Sequence, residues 1–485
     1  MNVNPLSRRR LLQTGAAGAA ALALGRSSAF AFAKPSAEDV ARKAANAKVR
    51  FAFIGTGPKG LDNIGDFKNE IGVTPVAVCD VDDKYLADAS ELAGPEARTY
   101  GDFRAMLAKE AANIDVVVVS TPDHNHAVCA LEAMKHGKAV YCEKPLSHDI
   151  WEARTLAEAA RHFKVPTQMG NQGHSSGGLR QQVDWIRAGV IGDVHEVHIS
   201  TDRPNWPQGA GHFARKDQPN PPNGMNWDMW LGARPVRPYA TSEILNKKTG
   251  KTENVGTYHP TRWRGWLDFG NGALGDMAPH LMDSAFWSLN LTGDCAVTIE
   301  CEGVNAQTYP TWSIVTWHYP ARPAVREGKE VELPPVKVSW YEGGKKPAKP
   351  DKVSDKEWKK FSGAAVFVGE RGVMFGDYTS APKLAAGYDA AKDFNPPRRQ
   401  PWFLPGGPGH HQEIIDAAVS SGAPAPMSNF DYASKLTETI LLGTIAQRVG
   451  QRIEWDSKAM KITNLPEADH FVKADRRPGW ELSWT

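Results

Sequence analysis

At 485 residues the chain is long enough for two or three domains around a large core. Hydrophobic residues make up 41% and charged residues 23%, the balance of an ordinary folded protein. Leaving out residues 1–33, which hold four arginines and no acid, turns the formal net charge from +2 to −2, so no basic stripe for nucleic acid remains.

The first element is a targeting segment. Ser7-Arg8-Arg9-Arg10-Leu11-Leu12-Gln13 precedes a mildly apolar stretch, Thr14 to Leu24, shorter than the ~20 residues a bilayer span needs. Ala29-Phe30-Ala31 and Ala31-Phe32-Ala33 offer small-residue cleavage sites. Residues 1–33 are similar to a twin-arginine signal. The expectations are a periplasmic location, the twin-arginine export machinery as a partner, and no membrane association after cleavage. That route carries folded proteins, and the periplasm holds no free nicotinamide pool. A nucleotide used there is expected to travel bound. Residues 34–48 read as a polar, alanine-rich lead.

From Val49 apolar strands alternate with amphipathic helices. Strands are predicted at 49–54, 74–79, 115–120, 139–142 and 166–169, and helices around 59–69, 82–92, 102–109, 124–136 and 149–163. This alternation predicts an α/β fold with a doubly wound parallel sheet, a Rossmann domain over 49–170. Gly55-Thr56-Gly57-Pro58-Lys59-Gly60 leaves the first strand, and Asp80 ends the second. The glycines permit a tight turn, a close approach to a pyrophosphate and close helix packing. Asp80 would accept both ribose hydroxyls of NAD and repel the added phosphate of NADP.

Beyond Gly170 the texture changes. A helix is predicted over 177–188 and a strand over 194–201, then a Pro/Trp/Asn-rich region with little period over 202–262. The tryptophans between Trp206 and Trp266 are either core or a carbohydrate-stacking surface. A helix over 276–289 precedes alternating runs at 297–302, 312–319, 336–341 and 365–375, which suggest an open, mostly antiparallel sheet. Residues 345–360 read as a solvated, lysine-rich insertion. Helices return at 410–421 and 431–449, the second read as amphipathic. The second domain is placed at 171–455 and a tail at 456–485. Cys79, Cys129, Cys142, Cys295 and Cys301 form no CxxC pair. They read as buried thiols, with a Cys295–Cys301 bridge as the alternative.

Three segments carry chemistry. Ser120-Thr121-Pro122-Asp123-His124-Asn125-His126 follows the third predicted strand, where open α/β sheets bind ligands. His124 and His126 lack a third metal ligand nearby, so no metal is expected; capping or ribose contact fits them better. Glu143-Lys144-Pro145 ends the next strand and aims Lys144 into the crevice, unless the lysine merely pairs with a surface neighbour. Asp276 and His280, four apart, share one face of a helix. There a histidine can take a hydroxyl proton while Asp276 binds a sugar hydroxyl or orients the ring.

Together, the glycine loop, Ser120-Thr121-Pro122 with His126, Glu143-Lys144-Pro145 and Asp276 with His280 resemble the Gfo/Idh/MocA family of glucose–fructose oxidoreductases and inositol dehydrogenases. The resemblance runs from about Val49 to near Gln451. It implies a Rossmann domain followed by an α/β domain whose open sheet often joins subunits, so a homo-oligomer, dimer or tetramer, is expected. It implies Lys144, Asp276 and His280 as catalytic residues; with the export route considered, the expected cofactor is firmly bound NAD. Glu143, Asn171 and Gln172 would border the nicotinamide end, and Trp263-Arg264 resembles a segment that reaches the cofactor in secreted members. His174, Arg203, Trp206 and Tyr258 join Asp276 and His280 as substrate-binding candidates. The long 202–266 and 320–362 segments depart from compact members and suggest a larger, glycosidic substrate. The expected reaction is NAD-dependent oxidation of a sugar or glycoside hydroxyl; the alternative is redox-assisted glycoside hydrolysis.

Overall fold

The computed structural model describes residues 49–484 apart from 69–72, 210–214, 246–249, 327–328, 352, 360, 362–363, 387–408 and 421. The signal and lead expected over 1–48 lie outside the described residues.

Valine-rich runs build the first sheet. Strands β1 (Arg50–Ile54), β2 (Thr74–Cys79), β3 (Arg98–Tyr100), β4 (Val116–Val119), β5 (Ala139–Glu143) and β6 (Thr167–Gly170) pair in the order β3-β2-β1-β4-β5-β6, all parallel. All four residues of β4 and all five of β5 are buried, as helices on both faces require. The reversal of strand order between β1 and β4 opens the crevice above their C-terminal ends. The short edge strand β3 was not read from the sequence, because three partly exposed residues carry no apolar run.

The second sheet is larger and mixed. Strands β7 (Val194–Ser200), β11 (Cys295–Glu302), β12 (Trp312–Tyr319), β15 (Val336–Glu342), β16 (Ala365–Gly369), β17 (Val373–Gly376), β18 (Lys383–Leu384), β19 (Ile453–Asp456) and β20 (Lys461–Ile462) form nine strands, and only β7–β15 is parallel. The single run expected at 365–375 is two strands of a hairpin. Within 202–262, read as irregular, β8 (Arg215–Asp217), β9 (Ala240–Leu245) and β10 (Thr252–Gly256) make a small antiparallel sheet. A separate hairpin joins β13 (Arg322–Arg326) to β14 (Lys329–Leu333).

The helix Phe430–Val449 is no amphipathic surface helix; it is buried on nearly every side. It lies against the Rossmann helix Ile150–Phe163 and against β11 and β12, so it ties the two sheets together. The lysine-rich stretch is not wholly solvated either: Val353 is buried, and Trp358 and Phe361 stack beside Phe375. The 456–485 segment packs as part of the core, with Trp480 and Leu482 each 7% exposed. Cys295 and Cys301 lie on one strand, six residues apart, which at ~3.4 Å per residue puts them far beyond bridging distance. Both are free thiols.

Candidate active site

The glycine loop is built as its residue types require. Gly55 sits at φ +81°, and a Cβ on Gly60 would lie 2.1 Å from the Gly55 carbonyl oxygen. Only glycine lets the helix Pro58–Asp66 start so close to the turn. The carboxylate of Asp80 accepts from the Thr56 N–H at 2.6 Å and from the Asp82 N–H at 3.0 Å. Burial raises the Asp80 pKa, and these two N–H groups oppose that shift. Gly55, Gly57, Pro58, Lys59, Asp80, Ser120, Thr121 and Pro122 line one cavity of about 110 Å³ together with Trp263 and Arg264.

A strap made of two segments, 224–234 and 258–264, borders this cavity, with Met229, Trp230, His259, Pro260, Thr261, Trp263 and Arg264 on its wall. Asp83 N–H donates to the Gly224 carbonyl and Asn226 N–H to the Val81 carbonyl, both at 2.8 Å. His259 Nε2 meets Asp82 Oδ2 at 2.8 Å, and His259, Pro260 and Thr261 line the same cavity. His259 and Asp82 had no signature in the sequence; they meet across 177 residues.

Arg264 leads from the cavity to the catalytic candidates: its Nε donates to Asp276 Oδ1 at 3.3 Å. Lys144 Nζ donates to the same oxygen at 2.9 Å and to the Asp276 carbonyl at 2.8 Å. Lys144 is therefore not a surface ion-pair residue; its partner sits 132 residues away. Both Asp276 and His280 project from the helix Gly272–Leu281, which stops one residue before a second helix, Asp283–Leu289. The helix is anchored at Asn271, whose N–H and Nδ2 donate to Asp123 Oδ2 at 3.1 and 3.2 Å. Burial pushes the Asp123 pKa up to about 7. Asp276 is held well below the usual carboxylate range: burial opposes ionisation, but the Lys144 and Arg264 cations outweigh it. Desolvation, then the Lys144 ammonium, push His280 down to about 3. Its Nδ1 is buried with no hydrogen-bond partner among the described residues. The imidazole is therefore neutral at about pH 7, with one nitrogen free to accept a hydrogen bond, and it is a weaker base than an exposed histidine.

Glu143 fits the ribose beside the nicotinamide. Its Oε1 accepts from Asn63 Nδ2 at 3.0 Å and Gln172 Nε2 at 3.2 Å, while Oε2 is buried without a partner. Thr121 Oγ1, on the cavity wall, is likewise buried and unpartnered. These orphaned atoms, with the open space beside Gly57, fit a dinucleotide. The residues present would hold NAD with Gly55–Gly60 at the pyrophosphate, Asp80 at one ribose and Glu143 at the other.

Other candidates lie elsewhere or do other work. His124 is fully buried and spends Nε2 on the Trp230 carbonyl and Nδ1 on the Phe269 carbonyl, so it has no nitrogen for a ribose. His126 joins the Pro145 and Thr121 carbonyls, both at 2.8 Å. It staples the Lys144 turn to the Thr121 turn and does not touch the cleft itself. Asn171 turns inward to Asp283 and Ser428. His174 pairs with the same Asp283 at 2.8 Å, stacks on Trp287 and is buried, and its Nε2 has no partner among the described residues. Tyr258 is 0% exposed among Trp227, Trp230, Trp266 and Phe269, so it and most of the tryptophans are core. Trp206 stays half-buried beside Gly265 and donates to Gln208 Oε1. Arg203 pairs with its neighbour Asp202. Tyr378 was missed: its ring meets the His280 ring edge-on at 4.7 Å, and its hydroxyl accepts from Gly173 N–H at 2.8 Å. A Cβ on Gly173 would strike that ring at 2.1 Å.

Comparison with known proteins identifies the family of both domains. The family model Gfo/Idh/MocA, an oxidoreductase family with an NAD-binding Rossmann fold, matches residues 49–171. The model of the family's C-terminal alpha/beta domain matches 181–332. Inositol 2-dehydrogenase 3 of Saccharopolyspora erythraea is 31% identical over 205 residues, 40% of this chain and 59% of that protein. A glycosyl hydrolase family 109 protein of Shewanella sp. is 29% identical over 154 residues, 30% of this chain and 33% of that protein. The chain thus spans less than two thirds of the length of these relatives. The WlbA dehydrogenase of Bordetella pertussis, solved with NADH and UDP-GlcNAcA, superposes with a TM-score of 0.54 at 16% identity, over 84% of this chain and 99% of that one. An aldose-aldose oxidoreductase of Caulobacter crescentus gives 0.51 at 14% identity, over 84% and 100%. At such identities the likeness is one of fold.

Proposed function

Because the chain belongs to the Gfo/Idh/MocA family of oxidoreductases, with an NAD-binding Rossmann domain, we propose that it oxidises a hydroxyl of a sugar or glycoside in the periplasm, using NAD that stays bound and is recycled in place. The observation that carries this reading is the meeting of Lys144, Arg264 and Asp276 at the end of the glycine-loop cleft, with His280 one helical turn on. NAD, when bound, supplies the hydride acceptor. The chain supplies the proton chemistry. In this reading the Lys144 ammonium, fixed by two bonds to Asp276, donates to the reacting oxygen. In the same reading His280 Nδ1, which has no partner among the described residues, takes the hydroxyl proton, a step usually worth about a hundredfold to ten-thousandfold in rate. The strap over the cavity favours retention of the nucleotide. The reading includes a dimer or tetramer joined through the half-covered face of the nine-stranded sheet, where His198, Thr316, His318 and Tyr341 remain partly exposed.

The deciding experiment is mass spectrometry of nucleotide released by denaturing protein recovered from the periplasm, followed by a panel of glycosides. Bound NAD and a keto sugar are expected. Periplasmic protein free of nucleotide would overturn the reading.

The likeness to a glycosyl hydrolase family 109 protein favours a second reaction on the same site. Oxidation of a ring hydroxyl acidifies the neighbouring C–H, the aglycone leaves by elimination, water adds, and the ketone is reduced back. His280 or Lys144 would handle the protons. Free aglycone without accumulated ketone or NADH marks this route; accumulated keto sugar marks simple dehydrogenation.

A further inference from the structure

The cleft has two ends, and the sheet order tells them apart. Lys144 follows β5, whereas β3 lies at the opposite edge beyond β2. With the pyrophosphate at Gly55–Gly60 and the ribose at Asp80, the adenine falls on the β3 side. The cavity wall there is Gly101, Phe103, Cys129 and Trp480. Trp480 comes from the last residues of the chain, 377 positions beyond Phe103, whose ring lies 6.4 Å away.

The segment that carries Trp480 is fastened at several points. Ala474 N–H donates to Asp149 Oδ2 at 3.2 Å, and Arg476 pairs with Glu152 and, at 3.7 Å, with Asp149. Those carboxylates also face Arg234 from the strap. Arg477 bonds Asp228 and the Gly232 carbonyl. Arg104, on the helix after β3, donates to the Gly479 carbonyl at 3.1 Å and lays its guanidinium 4.2 Å over the Trp480 ring. The C-terminal segment is thus tied to the start of the Rossmann helix Ile150–Phe163, to the strap and, at Gly479 and Trp480, to Arg104 on the β3 side where a purine would lie.

We infer that Trp480 is the closing wall of the adenine pocket and that residues 474–484 hold the dinucleotide against exchange. This rests on the proposed cofactor. An indole offers a purine a flat, apolar face, and a wall pinned on both flanks must be peeled away before the base departs. Retention would then be a property of the far end of the cleft, independent of Lys144 and His280.

The test uses full-length protein purified from the periplasm and etheno-NAD, whose modified adenine fluoresces. The rate at which bound nucleotide exchanges for the probe is measured for wild type, Trp480→Phe, Trp480→Ala and Arg104→Ala. Trp480→Ala is expected to exchange about tenfold faster or more, as an off-rate effect, with Trp480→Phe between it and wild type. Arg104→Ala removes only the clamp on the segment and should also speed exchange; it decides the matter if Trp480→Ala fails to fold by circular dichroism. Wild-type protein that holds nucleotide, with exchange unchanged in the folded variants, overturns this inference alone. Wild-type protein that neither carries nor takes up nucleotide overturns the cofactor reading and this inference together.

Discussion

The two ends of the cleft are made differently. The Lys144 end is polar: an ammonium, a guanidinium and a carboxylate converge, with an unpaired imidazole nitrogen close by. The Trp480 end is aromatic and apolar, closed by a segment distant in the chain. One end is arranged to move a proton and the other to hold a base. Binding and chemistry are therefore separable, and substitutions should affect them separately.

The largest effect should come from the one residue that serves both ends. Gly60→Ala puts a methyl 2.1 Å from the Gly55 carbonyl oxygen, so the loop must shift and the pyrophosphate seat is lost. Purified protein should carry no nucleotide and show no activity. Nucleotide still present at wild-type occupancy would mean the loop is not the seat. Next is Lys144→Met, confined to the polar end. It removes the donor to Asp276 and should lower turnover by about a hundredfold to ten-thousandfold while nucleotide content, read by mass spectrometry, stays unchanged. Loss of nucleotide in this variant would break the separation between the two ends.

The contrast also explains what the sequence could and could not convey. Short local patterns carried the Rossmann strands other than β3, the glycine loop, Asp80 and the Glu143-Lys144-Pro145 turn, because each lies within one strand–turn–helix unit. Asp276 and His280 were legible as a pair by helical spacing, but their approach to Lys144 depends on Asn271 binding Asp123 across 148 residues. His124, His126 and Tyr258 were misread for one reason: a polar or aromatic residue beside a cleft motif looks the same whether it faces the ligand or braces the wall. His126 braces it, its ring held between two backbone carbonyls, to one of which it donates. Trp480, His259 and Tyr378 reach the site from distant segments with no motif of their own, so nothing local marked them.

A smaller effect sharpens the account of the polar end. In the folded chain His280 titrates at about 3, against 6.5 as its ordinary value. Between those values the unfolded chain binds this proton and the folded chain does not. The group's contribution is whole above about pH 6.5 and is drained as the pH falls toward 3. Glutamine in its place does not titrate, and every other buried acid and histidine is common to both proteins. Wild type should therefore lose Tm faster than His280→Gln on going from about pH 7 to about pH 4, by a few degrees at most. The same variant should lose turnover at every pH while keeping its nucleotide. Parallel Tm curves would mean that the imidazole is not kept neutral by its surroundings.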